Sequence, residues 1–424
     1  MNNNTTLVWQ LKRGLLNFVE KLSDGLTRPK VKFLAQMLYG ILTSQSVMLT
    51  QIGRALQEVI SLKKTEDRLS RNLGAFINET SCVYQNYLKI VRPKIDADTI
   101  FCIDPGDITK KYSRYQEGMD WIQDGSDHKP ALGWYIYGVT ALTHGTKLPI
   151  PVYMRLVSPD DPMSDGQTEE ILCAIKATQE AFGACGIHTM DRGMDVDAIY
   201  NHYFETGQRF VIRSKVNRRL ISGEETLCTQ EIAAAMKGKY RMDFADKHGR
   251  RLRLKVSFKS VCLPSHPDKP LTLVMVFGFG KEPMLLATNL PVVGKLSCLR
   301  AAKTYLCRWR IEEFYRFLKN QFDLEDVRVL SFDSLYSIVF LLSILSGWIA
   351  MFADKEEGHV LLRAVLERAK RVYDIPKFTL YAVGDGIYDI LKFATRGIRF
   401  ALLRPPRSQQ LSLFEPSAFN YSVA

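Results

Sequence analysis

Residues 305–319, YLCRWRIEEFYRFLK, crowd arginines, glutamates, tyrosines and a lysine into a short stretch with no Gly, no Pro and one β-branched residue. Such a run predicts a continuous helix. At ~100° per residue from Tyr305, Arg308 falls near ~300°, Glu312 near ~340°, Lys319 near ~320° and Arg316 near ~20°. One stripe therefore carries a carboxylate among cations, while Leu306, Phe314, Phe317 and Leu318 form an apolar face able to dock on a core. Glu313 points away from the stripe. A charged stripe of this kind is either a solvated face or a metal ligand beside phosphate. Two further acids terminate apolar runs, Asp104 in TIFCID and Asp191 in IHTMD. Carboxylates from separate elements can hold two cations ~4 Å apart, one activating water or a 3′-OH and the other stabilising the leaving oxygen. Hard oxygen ligands suit Mg²⁺ or Mn²⁺, and adjacent cations would hold phosphates and neutralise developing charge.

The elements that must position these acids change character along the chain. Residues 1–95 read as helices, with LKRGLLNFVEKLSDGL, KVKFLAQMLYGILTSQ and SCVYQNYLKIVRPKI apolar at three-to-four spacing. Between them SLKKTEDRLSRNLGAF brings Lys63, Lys64, Arg68 and Arg71 together, as a DNA-facing helix or a soluble surface. Residues 96–217 hold three β runs (TIFCID, WYIYGVTALTH, LPIPVYMRLVS), then alternating helix and strand, the order of an α/β layer. Acids at strand ends would lie at the carboxyl edge of such a sheet, where these folds place their chemistry. Residues 218–292 read as a β-rich insertion, with a hairpin turned at Lys247–Gly249. Residues 293–330 carry the helix with the third acid, 331–404 form a helical region, and 405–424 form a mobile tail.

Composition narrows the partners. A net charge of +12 across 424 residues suggests a polyanion, nucleic acid or an anionic membrane. Eight cysteines without any C-x-x-C pair argue against a zinc ribbon and fit reduced thiols in a cytosol. The start, MNNNTTLVWQ, lacks the basic-then-apolar order of a signal peptide. The uncharged run LYSIVFLLSILSGWIAMFA is long enough to span a membrane. Its serines, its glycine and the lack of a flanking basic cluster favour a buried core helix instead. No Walker loop, G-x-S-x-G or H-E-x-x-H is present, so lone Cys and His read as packing or surface residues.

The pattern Tyr-x2-Arg-x3-Glu-x6-Lys at Tyr305, Arg308, Glu312 and Lys319 resembles the third motif of bacterial insertion-sequence transposases with a DDE active site. CIDPGDITKKY resembles their first-Asp motif and MDRGMD their second, with GWYIYGVTAL, VSPDDP and RFVIRSK similar to the intervening segments. The likeness runs in order from about 99 to 320. It implies an RNase H-like catalytic core with a β-rich insertion, and cut-and-paste transposition dependent on two Mg²⁺ or Mn²⁺ ions. Asp104, Asp191 and Glu312 would be the catalytic metal ligands, and Tyr305, Arg308 and Lys319 would grip phosphates at the cleaved end. Arg213, Lys215 and Arg316 are further DNA-contact candidates. DPGD offers Asp107 as a second acid, but Asp104 directly ends the apolar run, leaving Asp107 to cap a turn or bind DNA.

Two departures from the pattern stand out. Gly193 occupies a position where some relatives carry Glu, and Met284 precedes LLAT where some place a Trp that stacks on a flipped base. Met replaces such stacking poorly, which bears on whether a DNA hairpin intermediate forms. The implied partners are double-stranded DNA, both terminal inverted repeats and target, and a second copy of the chain in a synaptic complex. A bacterial cytoplasmic setting at the nucleoid, with no membrane association, is expected. QLSLF in the tail (Gln410, Leu411, Leu413, Phe414) resembles the peptide by which bacterial proteins dock on the replication sliding clamp. A DDE-type nuclease without strand joining, or a domesticated DNA-binding protein, would share many of these features.

Overall fold

The computed structural model describes residues 3–398 except 111, 114, 126–128, 143–147, 162–165, 246–249, 355–359, 370–378 and 395–396. The chain opens with α1 (Asn3–Leu22), α2 (Arg28–Ser44), α3 (Leu49–Leu56), α4 (Leu62–Ala75) and α5 (Thr80–Val91). It continues with β1 (Ile100–Thr109), β2 (Asp120–Gln123), β3 (Pro130–Leu142), β4 (Pro149–Val157) and α6 (Gln167–Phe182). Then come β5 (Ile187–Met190), α7 (Asp197–Thr206), β6 (Arg209–Arg213), β7 (Arg219–Ser222), β8 (Glu225–Cys228) and α8 (Thr229–Ala234). The insertion is completed by β9 (Tyr240–Ala245), β10 (Arg251–Leu263), β11 (His266–Phe277) and β12 (Met284–Thr288). Helices α9 (Lys295–Leu306), α10 (Trp309–Gln321), α11 (Phe332–Ala353), α12 (Val360–Ala369) and α13 (Thr379–Leu391) follow.

The strands form one mixed sheet in the order β2-β3-β1-β5-β6-β12-β11-β10-β7-β8, with β4 on β3 and β9 on β10. β1, β5 and β6 run parallel to one another, and their neighbours are antiparallel. In β1, Phe101, Cys102 and Ile103 are all buried, the continuous apolar run of a strand covered on both faces. In β10 the start alternates instead, with Leu254 and Val256 buried and Arg253 and Lys255 exposed. The sheet is therefore sealed on both faces at its centre and open on one face in the insertion.

Helix α11 is the uncharged run, and 89% of its most apolar window is buried inside the protein. It packs against α2, α4 and α13 on one side and β4 on the other, so a single apolar cluster runs from Leu11 of α1 through Ile103 of β1 to Ile387 of α13. Gly347 allows that approach: a Cβ there would stand 2.0 Å from the Tyr87 hydroxyl, which donates to the Pro151 carbonyl at 2.8 Å. The expected hairpin turn at 247–249 and the tail carrying Gln410, Leu411, Leu413 and Phe414 lie outside the described residues. The eight cysteines are free thiols.

His188 on β5 is fully buried, ringed by Phe101 and Tyr203. Its Nδ1 shares a hydrogen bond with the Tyr203 hydroxyl, and its Nε2 has no partner. Burial, helped by His202, pushes its pKa down to about 3. The native imidazole therefore stays neutral where an unfolded one protonates, so stability is lost as pH falls from ~6.5 toward ~3. The contribution should reach a slope of up to ~1.4 kcal/mol per pH unit in unfolding free energy. Replacing His188 with Phe should flatten the acid limb of a urea-unfolding pH series; an unchanged limb would show that His188 titrates freely.

Candidate active site

Two acids come to the same edge of the sheet because β1 and β5 run parallel and in register. β1 and β5 pair from Ile100 opposite Ile187 to Cys102 opposite Thr189. β5 ends at Met190, and Asp191 caps the short 3₁₀ turn Arg192–Met194. Asp104 and Asp191 thus each stand two residues past the last paired positions. The apolar run ends at Asp104 as expected, but the strand does not: β1 continues to Thr109, held by the longer β3, with Asp104 opposite Gly138.

The third acid arrives on α10, and here the expectation of one continuous helix over 305–319 is corrected. The N–H groups of Cys307, Arg308, Arg310 and Ile311 bond the carbonyls of Thr304, Tyr305, Cys307 and Arg308, three residues back rather than four. Cys307 and Arg308 keep right-handed helical dihedrals, so the ladder tightens without Gly or Pro. The cause is tertiary. Helix α9 seats Cys298, Ala301, Ala302 and Leu306 on β5, β6 and the insertion strands, whereas α10 seats Ile311, Phe314, Phe317 and Leu318 on the main core. The tightened turn lets each helix take its own surface.

Across that turn the charged side chains still converge. Arg308 Nη1 donates to Asp104 Oδ2 at 2.9 Å, and its Nη2 donates to Glu312 Oε1. The Tyr305 hydroxyl donates to Asp191 Oδ1 at 3.1 Å, and Arg213 Nη1 lies 3.8 Å from the same oxygen. Burial lifts the Asp104 carboxyl to about 7, against the pull of Arg308, with Glu312 and Asp191 adding repulsion. For Asp191 burial also pushes upward, but Arg308, the Arg192 backbone N–H, Arg213 and Tyr305 together hold it below the usual carboxylate range. Burial works against the charge on Arg308, yet Asp104, Tyr305, Glu312 and Asp191 raise its pKa well above the ordinary value.

Asp107 belongs to a different group. It accepts from Lys319 Nζ at 2.7 Å, and Lys319 also lies 3.0 Å from Glu325. Glu325 in turn accepts from the Thr109 backbone and hydroxyl. Arg316 is exposed on the outer side of α10. On α4, Arg68 turns inward to Glu58 and Gln36, and Lys63 pairs with Asp67, leaving Lys64 and Arg71 exposed. Met284 is buried beneath α9, so its side chain is no stacking platform.

Sequence reasoning missed Asp195, the last acid of MDRGMD. Its buried carboxylate accepts from Tyr200, Ser214, the Lys215 backbone and Arg218 at 2.7–3.1 Å. It thereby fixes the chain just after β6, from which Arg213 reaches Asp191 and Lys215 lines a cavity of about 610 Å³ with Arg218 and Arg219. The motif's two acids were visible in sequence; which one faces inward was not. Tyr315 was missed too, although its hydroxyl donates to the Asp104 carbonyl at 2.7 Å.

Asp104, Asp191 and Glu312 offer only carboxylate oxygens, the donor chemistry of Mg²⁺ and Mn²⁺. Burial, with repulsion from Glu312 and Asp191 added to it, lifts Asp104, and a cation would relieve both, so the donor set fits such an ion. Here the positive charge among them is the Arg308 guanidinium, around which they are spread. Among the described residues no three acid, Cys or His side chains are gathered closely enough to enclose an ion.

The family model described as Transposase DDE domain matches residues 98–347. Among solved structures, the chain is similar to a piggyBac transposase in a cryo-EM synaptic complex with hairpin DNA. The two are 12% identical, with a TM-score of 0.45, covering 100% of this chain and 86% of that one.

The seating of α10 depends on two strand glycines. The Tyr315 ring lies on Gly106, and a Cβ at Gly138 would stand 2.4 Å from the Tyr315 hydroxyl. Gly138→Ala should therefore destabilise the protein by ~1–3 kcal/mol through overpacking. Adding Tyr315→Phe should recover part of that loss, because the next contact is 3.2 Å away. Denaturant unfolding of the single and double variants checks this; a Gly138→Ala protein as stable as the parent would contradict the seating.

Proposed function

This chain belongs to the transposase DDE-domain family, its chemistry is DNA transposition, and we propose that it works by cut-and-paste. In this reading it cleaves the ends of an insertion element of the bacterial group with the Tyr-x2-Arg-x3-Glu-x6-Lys motif and joins their 3′-OH to target DNA. The observation that carries the proposal is the convergence of Asp104, Asp191 and Glu312, from a strand, the turn after a second strand and a helix, on Arg308 and Tyr305. Antiparallel β3 beside β1, with β5 and β6 parallel to it, supports an RNase H-like core.

Two Mg²⁺ or Mn²⁺ ions held by the three carboxylates would activate the attacking oxygen and stabilise the leaving one. The residues of the chain bind and orient. Arg308 presents a planar fork that pairs with carboxylate and equally with phosphate. Tyr305 and Arg213 hold Asp191 in place, and Lys319 and Arg316 offer charge to the DNA backbone along α10. Asp107, committed to Lys319, acts as a support for that lysine rather than as the first catalytic acid.

The wider assignment follows the same reading. Residues 1–95 serve as a DNA-binding domain, with the exposed Lys64 and Arg71 meeting phosphates, and two copies of the chain hold paired element ends in a bacterial cytoplasm. Gln410, Leu411, Leu413 and Phe414 dock on the replication sliding clamp. Replacing Gln410, Leu413 and Phe414 with Ala should abolish binding to purified clamp; equal binding by the triple variant removes that partner.

Glu312→Gln removes a metal-binding charge at nearly constant shape. It should cut Mg²⁺-dependent end cleavage by more than ~100-fold, the upper range for residues that only support metal ligands, while end binding persists. Asp104→Asn and Asp191→Asn should behave alike, and Asp107→Asn should keep measurable activity. Substantial cutting by Glu312→Gln would sink the assignment, and an inactive Asp107→Asn beside an active Asp104→Asn would exchange the two acids. Joining of a 3′-OH end to plasmid DNA in vitro separates a transposase from a nuclease.

A further inference from the structure

Among the described residues, the outer face of the β9–β10 ribbon carries a strong excess of positive charge. Alternation buries Met242, Leu254 and Val256 and exposes Arg241, Arg251, Arg253 and Lys255. Register puts Lys255 directly opposite Arg241, a like-charge pair, and Arg253 opposite Asp243. Lys237 and Lys239, also exposed, lie on the segment leading into β9. Among the described residues of the ribbon and of the segment leading into it, one acid, Asp243, stands against these six cations, and no ion pair joins it to any of them. Like charges directly opposite across a ribbon are destabilising. A solvated strand face has no need of them.

We infer that this ribbon is a second DNA-binding surface, gripping the backbone of double-stranded DNA without reading its sequence. The inference rests on the reading of the chain as a transposase. Residues on one face of a strand repeat every ~6.8 Å, so Arg251, Arg253 and Lys255 span ~14 Å. A duplex presents one negative charge per ~1.7 Å of axis, about eight over that length. The buried residues of the ribbon pack in the same cluster as Ala301, Ala302 and Tyr305 of α9. The cations therefore face away from α9, across the sheet from the Asp191 partner Tyr305. DNA held there is not the stretch at the acids but another part of the same or a second duplex. Phosphate contact positions a duplex without specifying its bases, which suits a surface that must hold whatever sequence adjoins the cut.

The test is a salt titration of DNA binding by fluorescence anisotropy, using a random-sequence duplex and an element-end duplex. The quadruple variant R241Q, R251Q, R253Q and K255Q should bind both more weakly, with a log–log salt slope shallower by ~3–4. A control lacking four exposed cations that lie outside residues 1–95, the site and the ribbon (K176Q, R363Q, R368Q and K392Q) should change the slope by less than ~1. Should the quadruple variant not fold, Arg253→Glu alone must still lower the slope by ~1 or more. An unchanged slope in a folded variant, an equal change in the control, or a loss confined to the element-end duplex overturns the proposal. So does a loss of binding to anionic vesicles with DNA binding intact. End cleavage by the wild type separates the two readings. Normal cleavage with an unchanged slope discards the ribbon alone, and a ribbon-dependent slope without any cleavage or joining discards the transposase reading alone.

Discussion

Asp104 and Glu312 approach one another in a partly buried site because a single cation, Arg308, stands between them. Its side chain is 12% exposed and its partner Asp104 16%, so both charges have lost most of their hydration. Breaking such a pair by removing one partner costs ~3–5 kcal/mol, because the other charge remains buried and unmatched. Much of the surrounding structure can be understood as bringing that one guanidinium to Asp104 and Glu312 together. The turn between α9 and α10 tightens at Arg308, β1 extends past β5 at Asp104, and Gly106 and Gly138 clear the space that Tyr315 needs to hold α10 down.

The same arrangement explains how the site can exchange partners. The Arg308 guanidinium is a planar fork that pairs with carboxylate and phosphate alike, so under the proposed function metal ions and DNA phosphates at the site would relieve the charge that it balances. Against burial, Arg308, the Arg192 backbone N–H, Arg213 and Tyr305 hold the Asp191 carboxyl below its usual range, while burial, aided by Glu312 and Asp191, lifts Asp104 to about 7. A site with one carboxylate held charged and another readily protonated has its electrostatics completed by its ligands.

The sheet links that centre to the insertion. β6 and β12 join the parallel strands to the antiparallel ones, and α9 lies across both with Tyr305 at its end. Asp195 ties down the loop after β6, so the chain that carries Arg213 is held by a buried carboxylate. Core packing and the charged groups therefore share the same backbone, and displacement of α9 would move Tyr305 and Arg308 together.

Much of this was legible in the sequence because the relevant physics is local. Continuous apolar runs identified β1 and β5 and stopped at Asp104 and Asp191. Three-to-four spacing identified the helices, and the uncharged run of α11 could be read as a buried core helix from its serines and missing basic flanks. The stripe of Tyr305, Arg308, Glu312 and Lys319 was visible as residue type and spacing. What the sequence lacked was any mark at Cys307–Arg308, since no Gly or Pro signals a turn imposed by two helices docking on different surfaces. Nor could it divide Asp104 from Asp107 by environment, turn Arg68 inward to Glu58, or bury Asp195 beneath Arg218. Those outcomes depend on partners more than a hundred residues away for Asp104, or on which side of a loop faces the core. Alternation alone made Arg251, Arg253 and Lys255 share a face; only pairing with β9 set Arg241 against Lys255, and only the packing of α9 decided that this face is the open one.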